Sequence, residues 1–124
     1  MGEMASRILV VEDEALIAEM MAEVLMEHGF EVKAVATAKD ALQHLTCGAP
    51  CDCLFTDINL PGGVDGATLA QLVRELRPDL PVVYASGAVR SIEQLKAVPG
   101  ATFVAKPYDP TKVCTLLKQF ATHH

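Results

Sequence analysis

Short β-branched apolar runs alternate with segments of helical period five times along this 124-residue chain, and that alternation limits the possible folds more than any other feature. Arg7-Ile-Leu-Val-Val11 is the first run; ended by acids, it has the form of a strand buried on both faces. From Glu14 onward Leu16/Ile17, Met20/Met21 and Val24/Leu25 recur at helical spacing, with Asp13 as the expected N-cap and Gly29 as the stop. Glu31-Val-Lys-Ala-Val35 alternates as a second strand, and Thr37 caps a short helix carrying Ala41, Leu42 and Leu45 that ends near Gly48 and Pro50. Cys51 to Thr56 reads as the third strand. Leu69, Leu72, Val73 and Leu76 then mark the inner stripe of a third helix ending before Pro78. Pro81-Val-Val-Tyr-Ala85 is the fourth strand, and a fourth helix after Ser86-Gly87 carries Ile92, Leu95 and Val98. Thr102-Phe-Val-Ala105 is the fifth strand, and Pro110 opens a last helix with Val113, Leu116, Leu117 and Phe120.

Strict alternation with short connections implies parallel strands, right-handed crossovers and helices on both faces of the sheet, a three-layer α/β fold. Five units are too few for a closed eight-unit barrel, so the sheet is open, and open sheets of this kind hold ligands beyond the carboxyl ends of their strands. A single domain is expected over 1–124, with its core at about 6–120 and no effector domain.

Composition excludes several function classes. Hydrophobic residues at 51% and charged residues at 21% rule out a disordered chain or a coiled coil. Sixteen acids against ten bases give a formal charge of -6, which repels phosphate backbones and anionic lipid, so direct nucleic acid binding and membrane association are not expected. No apolar stretch approaches the roughly 20 residues of a membrane span, and no export signal precedes Ile8, so a cytoplasmic location is expected. Cys47, Cys51, Cys53 and Cys114 match no paired zinc pattern and read as free thiols. Met20, Met21 and Met26 fit a core-facing helix and its margin. His28, His44, His123 and His124 have no metal-ligand spacing, and the terminal pair reads as a frayed tail.

The residues at the strand ends are Glu12 and Asp13 after the first, Asp57 after the third, Ser86 after the fourth and Lys106 after the fifth. Each alone has a plainer explanation: Asp13 as a cap, Ser86 as a turn residue, Lys106 as a solvated cation. Together they demand more, because converging carboxylates repel one another and favour raised pKa values or a bound cation. All the candidate ligands are oxygens, which suits Mg²⁺ or Mn²⁺ held by Glu12 and Asp13 with room for a phosphate. Asp57 is the candidate nucleophile, since a carboxylate can accept a phosphoryl group. Lys106 supplies positive charge and Ser86 a hydroxyl donor.

Ile8-Leu-Val-Val-Glu-Asp-Glu14, Leu54-Phe-Thr-Asp-Ile-Asn-Leu-Pro61 with Asp65-Gly66, Val83-Tyr-Ala-Ser-Gly87 and Phe103-Val-Ala-Lys-Pro-Tyr108 follow one another in an order and spacing that resemble the receiver domain of bacterial response regulators. The resemblance runs from about Ser6 to Phe120. It implies a flavodoxin-like strand order 2-1-3-4-5, the order the family shares with a well-known member. It makes Asp57 the phosphoacceptor, and Glu12, Asp13, Asp57 and the backbone carbonyl of Asn59 the metal ligands. It also makes Ser86 the switch hydroxyl, Lys106 the site lysine and Lys106-Pro107 a cis peptide. Phe103 falls at the family's switch aromatic, with a plain core phenylalanine as the alternative. Two departures stand out against the commoner pattern: Gly62-Gly63 lengthens the loop after Asp57 by one residue, and the first acid is Glu12 rather than Asp. Asn59 and Ala88, near positions that tune dephosphorylation in the family, leave the phosphoryl lifetime open.

The function so implied is Mg²⁺-dependent transfer of a phosphoryl group from a histidine kinase or histidine phosphotransfer protein to Asp57, without turnover of an external substrate. The output is a surface around Phe103 that acts on a protein partner in trans or on a fused domain; a homodimer through the fourth-helix face is compatible with it. The alternative is a receiver-like interaction module that works without phosphorylation. A small phosphohydrolase shares the chemistry, but so short a chain has no room for a cap or substrate pocket.

Overall fold

The computed structural model of the chain describes residues 6–87 and 97–121. Five strands, β1 (Arg7–Val11), β2 (Glu31–Val35), β3 (Cys53–Asp57), β4 (Val82–Ser86) and β5 (Thr102–Ala105), form one parallel sheet in the order β2-β1-β3-β4-β5. Four described helices accompany them: α1 (Ala15–Glu27), α2 (Ala38–Thr46), α3 (Gly66–Leu76) and α4 (Pro110–Ala121), the last being the fifth helix of the sequence pattern. Ile92 and Leu95 of the expected fourth helix, with Ala88, His123 and His124, lie outside the described residues.

Side chains alternate across each strand, so the central strands feed two cores. Leu9, Val11, Leu54, Val82 and Tyr84 pack with Ala41 and Leu45 of α2, Leu69 and Val73 of α3, and Val98. Ile8, Val10, Phe55, Val83 and Ala85 pack on the other face with Met21 and Leu25 of α1 and Val113 and Leu117 of α4. β3 and β4 are buried along their whole length, while β2 forms an edge with Glu31 and Lys33 turned outward.

Local sequence accounts for the ends of these elements. Thr37 accepts the Asp40 amide at 3.1 Å and caps α2. Asp65 does the same for α3, accepting the Thr68 amide at 2.8 Å. Asp13 does not cap α1. The N-cap is Glu14, whose side chain makes no capping bond; its amide instead donates to the Glu12 carboxylate at 3.1 Å. The first acidic pair is thus committed to the sheet edge rather than to the helix.

Two apolar stripes are narrower than their periodicity predicts. On α1 only Met21 and Leu25 are buried, while Leu16 is 81% exposed and Met20 and Met26 also face outward. On α3 the inner stripe is Ala67, Leu69, Ala70 and Val73, and Leu72 and Leu76 lie at the exposed margin. A helix lying on a sheet covers only one strip, and small residues let α3 lie close. The third strand begins two residues later and the fourth one residue later than their hydrophobic patterns, and both end one residue further, because the ladder pairs Asp57 with Ala85 and Ser86 with Ala105. Both polar groups therefore stand on regular strand backbone.

Gly66 shows how tightly α3 meets β3. Its amide donates to the Ile58 carbonyl at 2.7 Å, and a Cβ at this position would overlap the backbone oxygen of Asp57. Gly66→Ala is expected to destabilise the fold by about 1–3 kcal/mol, measured by urea unfolding; wild-type stability in that variant would contradict the close approach.

Candidate functional site

The carboxyl ends of β1, β3, β4 and β5 deliver the polar side chains expected there. Glu12 and Asp13 follow β1, Asp57 closes β3, Ser86 closes β4 and Lys106 follows β5. Backbone bonds hold the lattice beneath them: Glu12 donates its amide to Val35 at 3.0 Å, Ile58 to Ala85 at 3.0 Å and Lys106 to Ser86 at 2.8 Å. The site is therefore as rigid as the sheet it terminates.

Three of the buried polar residues, Glu12, Asp57 and Ser86, lie at this edge, with only 3%, 6% and 1% of their surface exposed. Lys106 Nζ contacts Asp57 Oδ2 at 2.6 Å and reaches Glu12 Oε1 at 3.4 Å. The other Asp57 oxygen, Oδ1, accepts the Asn59 amide at 3.2 Å. Asn59 itself is exposed and contributes backbone to the site, and the Lys106-Pro107 peptide is cis.

Electrostatics follow from this packing. Burial raises the Glu12 carboxyl above its ordinary range, and the Glu14 amide and the Lys106 charge offset that only in part. Burial alone would lower the Lys106 ammonium, but its hydrogen bond to Asp57 and the charges of Asp57 and Glu12 outweigh it and hold the lysine above its usual value. A cation is thus fixed against two carboxylates at a nearly closed edge.

Glu12, Asp13 and Asp57 each offer a carboxylate oxygen within 4.8 Å of the others. Opposite ligands of an octahedral Mg²⁺ stand about 4.2 Å apart, given oxygen distances of roughly 2.1 Å. The cluster needs only small side-chain rotations to accept such an ion, and an all-oxygen donor set suits it. Asp13 is exposed, which leaves one side of the cluster open to water and ligand.

Phe103 is half-buried on β5 and stacks on Tyr84 of β4, ring centroids 5.2 Å apart and planes at 27°. Tyr84 is fully buried, and its hydroxyl accepts the Val98 amide at 3.3 Å. The pair lies on the face of the sheet that meets α2 and α3. Tyr84 is thus the floor under Phe103.

The thiols form no second centre. Cys53 and Cys114 are buried and Cys51 is half-buried, and burial pushes all three thiols up, the direction of an unreactive thiol. Among the described residues the acidic cluster is the only group of three metal-binding side chains.

Lys106→Met removes the cation that faces Glu12 and Asp57 and is expected to cost about 1–3 kcal/mol near neutral pH, less than for a fully buried pair because the lysine is partly solvated. The sign with pH follows from Glu12. Its folded-state value lies above its unfolded value, and losing the Lys106 charge that holds it down raises it further, so acidification favours folding of the variant more than of the wild type. Urea unfolding at about pH 7 and about pH 5 should show the deficit shrinking toward acid; a deficit that grows would refute the charge balance described here.

The match to known proteins is consistent with this geometry. Residues 8–118 match the family described as "Response regulator receiver domain". The response regulator protein FleR of Pseudomonas aeruginosa is 34% identical over 121 residues, 95% of this chain and 25% of FleR. The phosphate regulon transcriptional regulatory protein PhoB of Escherichia coli is 34% identical over 118 residues, 93% of this chain and 51% of PhoB. The chain thus spans a quarter to about half the length of these relatives. Among solved structures, a response regulator receiver protein from Sinorhizobium medicae superposes with a TM-score of 0.88 at 32% identity, covering 96% of each chain. The receiver domain of the hybrid histidine kinase CckA gives a TM-score of 0.80 at 33% identity, covering 93% of this chain and 98% of that one. With a family match over most of its length and a parallel sheet ordered β2-β1-β3-β4-β5, the chain belongs to the response regulator receiver domain family of two-component signalling.

Proposed function

We propose that Asp57 is the phosphoacceptor of this receiver domain, taking a phosphoryl group from the phosphohistidine of a histidine kinase or a histidine phosphotransfer protein. The observation that carries this reading is the Asp57 carboxylate itself, 6% exposed, with Lys106 Nζ at 2.6 Å and the carboxylates of Glu12 and Asp13 within reach. Lys106 balances the buried carboxylate, and the acids beside it supply what a group gaining phosphoryl charge requires, a place for a further cation.

A carboxylate oxygen of Asp57 attacks phosphorus, the phosphorus–nitrogen bond breaks, and the electron pair stays on the departing imidazole. The Asn59 amide and Lys106 orient the Asp57 carboxylate. Lys106 remains beside the transferring oxygens as a point charge, and the Ser86 hydroxyl at the end of β4 donates to one of them. Glu12, Asp13, Asp57 and the Asn59 carbonyl would hold Mg²⁺ or Mn²⁺, which neutralises phosphoryl charge when bound. The chain modifies itself and turns over no external substrate.

The new group adds about two negative charges at the sheet edge. Ser86 is drawn toward it, and the half-buried Phe103 on the adjacent strand responds, altering a surface read by a protein partner in trans or by a fused domain. The exposed Leu16 and Met20 of α1, just after the acidic pair, offer the donor an apolar contact beside the site. A net charge of -6 repels nucleic acid phosphates, so the partner in this reading is a protein. Among the described residues no helix is long and apolar enough to cross a membrane.

Asp57→Asn should abolish uptake of acid-labile phosphate from a small phosphodonor, and removal of divalent cations by a chelator should do the same to the wild type. Labelling of the variant at the wild-type rate would sink the assignment, and labelling that ignores the chelator would sink the metal's part in it. Ser86→Ala should still take up phosphate at Asp57 while the ring resonances of Phe103 lose most of their phosphorylation-dependent shift. An unchanged shift in that variant would remove Ser86 from the switch.

A further inference from the structure

Tyr84 is fully buried in the middle of β4 and makes two contacts through one rigid ring. It stacks on Phe103, the residue opposite it on β5, centroids 5.2 Å apart and planes at 27°, a contact that phenylalanine would make equally well. Its hydroxyl accepts the Val98 amide at 3.3 Å. Val98 opens a turn closed by the Ala101 amide, which donates to the Val98 carbonyl at 3.2 Å with Gly100 at φ 77°, and β5 begins at the next residue. The hydroxyl is therefore the part of Tyr84 that calls for a reason beyond packing, and its partner is the backbone that leads into β5.

The location ties these contacts to the sheet edge that holds Asp57. Ser86 follows Tyr84 by two residues on β4, so the two side chains leave the same face, and Ser86 pairs with Ala105 as Tyr84 does with Phe103. The turn at 98–101 precedes β5 and so lies at the opposite, amino edge of the parallel sheet. A tyrosine ring turns about only two side-chain torsions, so it cannot follow a moving Phe103 and keep its hydroxyl in place as well. The Val98 bond is also longer than the usual length of about 2.9 Å, and a small tilt removes it. Pro99 and Gly100 are exposed, so water is at hand for the amide once the turn shifts.

Resting on the reading of Asp57 as phosphoacceptor with Ser86 and Phe103 as its switch, we propose that Tyr84 is a positioning residue of that switch, its hydroxyl bond to Val98 belonging to the unphosphorylated state and breaking when Phe103 moves. The bond ties Phe103 and the turn to one resting arrangement, and a phosphoryl group that draws Ser86 inward works against it. Release of the turn makes Pro99 and Gly100 a second surface that changes with phosphorylation, at the far edge of the sheet from the site itself. The bond thus lowers affinity for a phosphoryl group by as much as it favours the resting state.

The test compares the wild type with Tyr84→Phe, which keeps the ring and its stack, for affinity toward beryllofluoride, a mimic of a phosphoryl group on a carboxylate, in the presence of Mg²⁺. A bond made equally in both states cancels from this comparison. One that belongs to the unphosphorylated state alone makes the variant bind the mimic about 5-fold more tightly, the net worth of one neutral hydrogen bond. A second measurement needs no variant: hydrogen exchange of the Val98 amide in the wild type should quicken about 5-fold on adding the mimic. The Leu54 amide, bonded to the Pro81 carbonyl at 2.9 Å, should keep its rate. Wild-type affinity in a folded variant, or an unchanged Val98 exchange rate in the mimic-bound wild type, would overturn the proposal while leaving the phosphoacceptor reading intact. A wild-type chain that binds no mimic would overturn that reading and this proposal with it.

Discussion

The contact between Lys106 and Asp57 is the constraint on which the rest of the site depends. β3 is buried from end to end and finishes in a carboxylate, a placement that desolvates the group. The lysine that balances it arrives from beyond β5, 49 residues away in the chain, and lies 2.6 Å from the carboxylate oxygen. The pair forms only if β4 lies between β3 and β5 in the right register, so charge balance and sheet order stand or fall together. Glu12 extends the arrangement to β1 through the same ammonium. One cation thus answers to carboxylates from two strands, and a second cation would relieve it.

That arrangement explains why the polar edge is so economical of residues. Backbone from Asn59 and Glu14 supplies amides to the carboxylates, and Gly66 brings α3 against the backbone of Asp57 where no other residue would fit. Tyr84 fills the space under Phe103, and its hydroxyl holds the Val98 amide. The groups that would do chemistry rest on strand backbone, and those that would report it rest on the neighbouring strand.

Much of this was legible in the residues. Parallel topology followed from the alternation of apolar runs and helical segments, and β1 and β5 have the bounds that the pattern predicted. The acids and the lysine could be grouped because strand ends in an open parallel sheet share one edge, whatever the distances in sequence. What escaped was set by three-dimensional fit. Periodicity counted Leu16 and Leu72 as inward because it cannot show how narrow a strip of helix the sheet covers. Asp13 looked like a cap because its position relative to the helix and its position relative to Asp57 are the same in sequence and different in space. Gly66 belonged to a recognised motif, but its steric reason exists only where α3 meets β3.

The two cores of the sandwich have a consequence for how such a domain can diversify. Among the described residues one involves α2 and α3 and the other α1 and α4, and they share no helix, only the strands that divide them. Each helical layer can therefore change its outward residues, and even repack inwardly, without renegotiating contacts with the opposite layer. The strand that ends in Asp57 sends Leu54 to one layer and Phe55 to the other. A change of charge at its tip would thus reach both packing layers, whose outward residues can vary separately.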